Sequence, residues 1–146
     1  MPSERGFTLI ETLIATAILV SGLVAVAYLF TYSVRTNITN DQLTSATLLL
    51  YNKMEELEAV SLANLTVGGG LDGASPTANF FDYVTVGATG ALTVNTTDTN
   101  APYLRVWQVT GANPKSITVA VHAQRAGFSG DRREMVRATT SVTSSF

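Results

Sequence analysis

Between Glu11 and Arg35 the chain runs 23 residues, Thr12 to Val34, without a formal charge, and no other feature restricts its fold as strongly. At 1.5 Å per residue such a run reaches roughly 35 Å as a helix, enough to cross a bilayer. Proline is absent from it, Gly22 is its one glycine, and Leu, Ile, Val and Ala fill most positions, so nothing in it stops a helix. A helix in the core of a soluble domain is seldom apolar all round for this length. One carboxylate, Glu11, nevertheless stands at the head of the run, in "RGFTLIETLIATAILV" (5–20). A charge near the middle of a bilayer helix costs roughly 2.5 to 3.5 kcal/mol on insertion scales, so something must offset it.

Composition agrees with a membrane or polymer-forming chain. Charged residues make up 14% of the sequence, against about 25% in an average soluble protein, while 46% are hydrophobic. The 146 residues suit one domain plus an appendage. A formal net charge of −2 gives no electrostatic argument for nucleic acid as a partner. Cysteine is absent, which excludes disulfides and thiolate metal sites.

Helical patterning continues past Arg35. In residues 40–65 the apolar side chains Leu43, Ala46, Leu50, Met54, Leu57 and Val60 recur at spacings of three and four, an amphipathic stripe. Lys53, Glu55, Glu56 and Glu58 fall between its members and are expected to face away from whatever it covers. One helix from about Phe7 to Leu62 would be about 84 Å long, with a first half suited to lipid and a second half suited to a sheet. The glycine-dense segment 67–79 then reads as a connecting loop. Its three consecutive glycines lack the Lys and Ser or Thr frame, and the preceding strand, that a phosphate cradle needs.

Downstream the period changes to two. Asp82–Val86, Tyr103–Val109, Ser116–Gln124 and Glu134–Val142 are rich in Val, Ile, Thr and aromatics and read as strands. Gly111–Pro114 and Gly127–Arg132 are short enough for hairpin loops, so the last three strands are expected to form an antiparallel meander. In the second strand Leu104, Val106 and Gln108 point one way and Tyr103, Arg105, Trp107 and Val109 the other. In the third, Ile117, Val119, Val121 and Ala123 form the apolar face that the helix stripe should cover, with Thr118, Ala120, His122 and Gln124 opposite. The expected fold class is therefore α+β, a long N-terminal helix packed on a small antiparallel sheet.

The residues Gly6, Phe7, Thr8, Leu9, Ile10 and Glu11, followed by the apolar run, resemble the prepilin signature of type IV pilins and type II secretion pseudopilins. An ordinary secretory signal places a small-residue cleavage site after its apolar segment, whereas the junction here precedes it. The resemblance implies a leader of residues 1–6, cleavage between Gly6 and Phe7 by a prepilin peptidase, and N-methylation of Phe7. It further implies a transmembrane and assembly helix over 7–34 and a globular domain over 35–146. The new α-amino group of Phe7 is largely cationic at neutral pH. In this family Glu11 is expected to pair with that amine on a neighbouring subunit, where a charge pair in low dielectric attracts strongly. The implied partners are other pilins through their N-terminal helices, the prepilin peptidase and the inner membrane, with the globular domain periplasmic before assembly into a surface filament.

The later segments look most like PilV-type minor pilins. The resemblance thus implies a non-enzymatic structural subunit that primes or joins a pilus. A minor pseudopilin of a type II secretion system and a single-pass DNA-binding or adhesive receptor with a prepilin leader are the alternatives. Residue chemistry argues the same way against an enzyme. His122 is the single histidine and is expected on the polar side of a surface strand, so no triad or ordinary zinc set is available and no cofactor or metal is expected. The basic cluster Arg125, Arg132, Arg133 and Arg137, with Trp107 or Phe128 to stack on a base, is the one nucleic-acid signal, and Asp131 and Glu134 offset it.

Overall fold

The computed structural model describes residues 7–124 and 132–143. By contact density the chain divides into two compact units, Met1–Asn40 and Asp41–Phe146. Helix α1, Leu9–Glu58, begins in the first and ends in the second. Within the first unit every described residue is exposed, as expected of a segment whose apolar surface is not satisfied by its own chain.

In the second unit the C-terminal part of α1 packs on an antiparallel sheet. Its strands are β1 (Gly68–Gly69), β2 (Phe81–Val86), β3 (Leu92–Asn95), β4 (Tyr103–Thr110), β5 (Lys115–Gln124) and β6 (Arg132–Val142). The order is β3-β2-β4-β5-β6, with β1 also paired to β4. β2 and β1 share one edge of β4: Phe81–Val84 pairs with Val106–Tyr103, and Gly68–Gly69 pairs with Val109–Gln108. The expected meander of β4, β5 and β6 is present, its β5–β6 pairing running from Lys115–Val142 to Gln124–Arg132. The connecting residues 127–131 of the second expected hairpin lie outside the described residues.

Alternation along the two central strands builds a core on each face. Tyr103, Trp107, Val109, Ile117, Val119, Val121 and Ala123 turn toward α1 and meet Ala46, Leu49, Leu50 and Leu57. Leu104, Val106 and Ala120 turn the other way and are closed over by Leu71, Phe81 and Tyr83. Both faces of β4 are thus buried, with burial unbroken from Tyr103 to Trp107 even though Arg105 falls within that stretch.

The structure departs from the sequence expectations at identifiable places. α1 stops at Glu58 rather than Leu62, and the chain turns so that Leu65 enters the core. Lys115 Nζ donates to the carbonyls of Leu62 and Leu65 at 2.6 and 2.7 Å, holding that turn from the sheet side. Leu43 is exposed, and Leu49, not counted in the stripe, is fully buried. β1 forms inside the expected loop because Gly69, with φ of 90°, lets two backbones approach: a Cβ there would collide with the Trp107 carbonyl. β3 is exposed at every position, so the alternation of Leu92, Thr93, Val94 and Asn95 marks no buried face, and four residues are too short a run to be read as a strand.

Candidate functional site

Helix α1 starts at Leu9 because the four residues before Thr12 cap it. The Glu11 amide donates to Thr8 Oγ1 at 3.3 Å, and the Thr8 amide donates back to Glu11 Oε2 at 3.5 Å. Both bonds are long, but their reciprocity is that of a capping box, with Thr8 at the N-cap and Glu11 three residues on. Glu11 is also the acidic residue of the first turn, where a negative charge meets the positive end of the helix dipole. The Thr-x-x-Glu spacing was readable in the sequence, although the intrachain role of Glu11 was not among the expectations. Phe7, just outside the cap, is 79% exposed. Gly6 lies outside the described residues.

Above the cap, hydroxyls along the apolar run are satisfied within the helix. Thr12, Thr16, Ser21 and Thr31 each donate to a carbonyl three or four residues earlier at 2.9 to 3.0 Å. The aliphatic hydroxyls from Thr12 to Thr31 are thus satisfied within the helix, the Tyr28 phenol being exposed at its surface, and an 18-residue window of the helix reaches a mean hydropathy of 2.4. In hydrocarbon such internal satisfaction is required, because nothing else there accepts a hydrogen bond.

The globular unit holds a second polar constellation, between α1 and the sheet. Arg105, 1% exposed, forms a bidentate pair with Asp82 at 2.7 and 2.8 Å and donates to the Asn52 side-chain carbonyl at 3.1 Å. Lys53 is buried as well, correcting the expectation that it faces away: its ammonium lies 2.8 Å from Glu56 and 3.5 Å from Asp82, and 4.0 Å over the Trp107 ring. The aliphatic stem of a lysine can cover apolar surface while its head finds partners, which is why the stripe includes it. Glu55, Glu56 and Glu58 are exposed as expected.

His122 is also corrected. It is buried, not on an open strand face, and its Nε2 donates to the Leu71 carbonyl at 3.2 Å. The residues considered for base stacking and phosphate contact do not converge. Trp107 is 9% exposed beneath Lys53, Arg132 donates to the Thr99 and Ala101 carbonyls and lies 5.0 Å from the Tyr83 ring, and Arg137 pairs with Glu134 at 2.6 Å. Arg133 is exposed, while Arg125, Phe128 and Asp131 lie outside the described residues. Among the described residues no group of three or more His, Cys, Asp or Glu is placed to hold a metal ion.

The prokaryotic N-terminal methylation motif matches residues 1–27. This chain carries a prepilin-type N-terminus. The motif covers residues 1–6, the Thr8–Glu11 cap and the apolar run as far as Ala27, and it supports a type IV pilin-like protein. Pilin-like proteins with the prepilin motif are structural rather than enzymatic, are processed by a prepilin peptidase and associate with other pilins and the membrane. The motif and the apolar helix that follows it fit membrane anchoring and then a pilus. Neither a curated protein nor a solved structure matches the chain.

Proposed function

We propose that the protein is a minor type IV pilin, a structural subunit that is cut between Gly6 and Phe7, N-methylated on Phe7 and added to a filament through α1. The observation that carries this reading is the prepilin motif placed directly on the cap of a helix that is apolar all round and exposed along its first half. Such a helix is stable only against lipid or other apolar helices, and a filament core supplies the second once the subunit leaves the first.

Cleavage changes the electrostatics of the cap. It leaves a cationic amine on Phe7, one residue before the N-cap, where the helix dipole is also positive. Glu11 lies within that turn and offsets both. When a neighbouring subunit arrives, its amine competes for the same carboxylate, so the residue that caps its own helix also sets the register of the next subunit. The PilV-like globular domain is then displayed on the outside.

Mass spectrometry of the N-terminus from sheared surface filaments tests this reading. The expected species begins at N-methyl-Phe7. Filament-derived protein that retains residues 1–6 overturns the assignment, and so does a full-length N-terminus in a strain with an active peptidase. Gly6→Val should block cleavage and leave the uncut chain in the membrane fraction.

A further inference from the structure

The outer core, on the sheet face away from α1, is closed by a short stretch of the glycine-rich segment. Leu71 packs on Leu104, Val106 and Ala120. Gly73 lies so close against the His122 imidazole that a Cβ there would come within 2.5 Å of Nδ1. Asp72 folds the stretch on itself by accepting the Ala74 amide at 2.9 Å. Among the described residues, the bond that ties segment 70–76 to the sheet is the one from His122 Nε2 to the Leu71 carbonyl. Before this stretch the chain is fastened by β1, and after it the Phe80 amide returns to Thr77.

We propose that segment 70–76 is an acid-released lid over the outer core, with His122 as its catch. A neutral ring suits the site: Nε2–H donates to Leu71, and Nδ1 faces the Gly73 backbone with no hydrogen-bond partner among the described residues. Protonation places a second N–H and a full charge into that contact. The charged groups facing the ring are Glu134 and Arg137 on β6 and Asp72 on the lid itself. Loss of solvation holds the His122 pKa below its ordinary 6.5 and Arg137 adds to this, while Glu134, the Leu71 carbonyl and Asp72 pull it up without overcoming burial. The sign follows from linkage. A closed lid that lowers the pKa is fully stabilised above 6.5 and loses that stabilisation as pH falls through the lowered value.

The test uses the full chain in detergent micelles and follows amide hydrogen exchange, corrected for intrinsic pH dependence, in peptides covering 70–79 and, as an internal control, 43–57. Between pH 7.5 and 5.0 the lid peptide of the wild type should lose protection, while the control peptide stays unchanged. His122→Gln keeps a donor for Leu71 and does not titrate, so its lid should show no such loss. Equal protection at both pH values, or an equal acid loss in His122→Gln, overturns the proposal. Should that variant fail to fold, the wild type decides alone by nuclear magnetic resonance: the His122 ring must titrate below 6.5 and with the same midpoint as lid opening, and a midpoint at or above 6.5 refutes it.

Discussion

Glu11 has one observed role and one proposed role, and a single substitution confounds them. As the partner of Thr8 in a capping box it stabilises its own helix, and as a carboxylate facing a neighbour's amine it is proposed to guide assembly. Glu11→Ala removes both. It makes the helix more apolar, so membrane insertion and cleavage should persist while filament incorporation falls. Glu11→Gln separates the roles, because glutamine still serves at that position of a capping box but carries no charge. If charge pairing governs assembly, quantitative immunoblots of membrane and sheared-filament fractions will show Gln failing as Ala does. If capping governs it, Gln restores the filament signal. Equal filament signal for wild type and both variants, at equal membrane levels, would remove Glu11 from assembly altogether.

At the scale of elements, the joint between α1 and the sheet combines an apolar stripe with a buried charge cluster. Leu49 is fully buried, and Leu49→Ala should destabilise the globular unit by about 2 to 5 kcal/mol. Leu50→Asp is expected to cost several kcal/mol, since it buries an unpaired carboxylate in the same cluster. The ion cluster answers differently to different changes. Arg105→Ala leaves Asp82 buried with Lys53 alone beside it, and a loss of about 3 to 5 kcal/mol is expected. Converting Arg105 and Asp82 together to apolar residues of similar volume should be much milder, because no uncompensated charge remains. Chemical denaturation of the four variants measures all of these. A double variant as unstable as Arg105→Ala would show that the pair stabilises more than it costs to bury.

For the whole molecule, the division at Asn40 and Asp41 predicts independence. A fragment beginning at Asp41 contains all six strands, both cores and the helix segment that covers one of them. It should be soluble, show mixed helix and sheet by circular dichroism and unfold in one cooperative transition. Fragments that begin inside the helix segment, after Leu50, expose the helix-side core and should aggregate or unfold. A fragment from Asp41 without cooperative unfolding would show that the globular unit depends on residues 1–40.

The sequence by itself determined what repeats along the chain. The uncharged run, the helical stripe and the alternation in β2, β4, β5 and β6 are one-dimensional signals, because a helix or strand presents residues to its surroundings at a fixed period. The prepilin signature and the Thr8–Glu11 spacing are likewise local, and they were legible before any coordinates. Tertiary structure alone decided features that depend on which segments meet. Lys53 reads as solvent-facing until Asp82, 29 positions away in sequence, and Trp107 supply a charge partner and an aromatic face. His122 reads as a surface residue until the Leu71 carbonyl closes over it. β1 consists of two glycines that carry no strand propensity, and it exists because the edge of β4 has unpaired backbone groups that only a chain without side chains can approach so closely. Propensity and periodicity are properties of neighbours in the chain, whereas a buried charge, a capped imidazole and a two-residue strand are properties of neighbours in space.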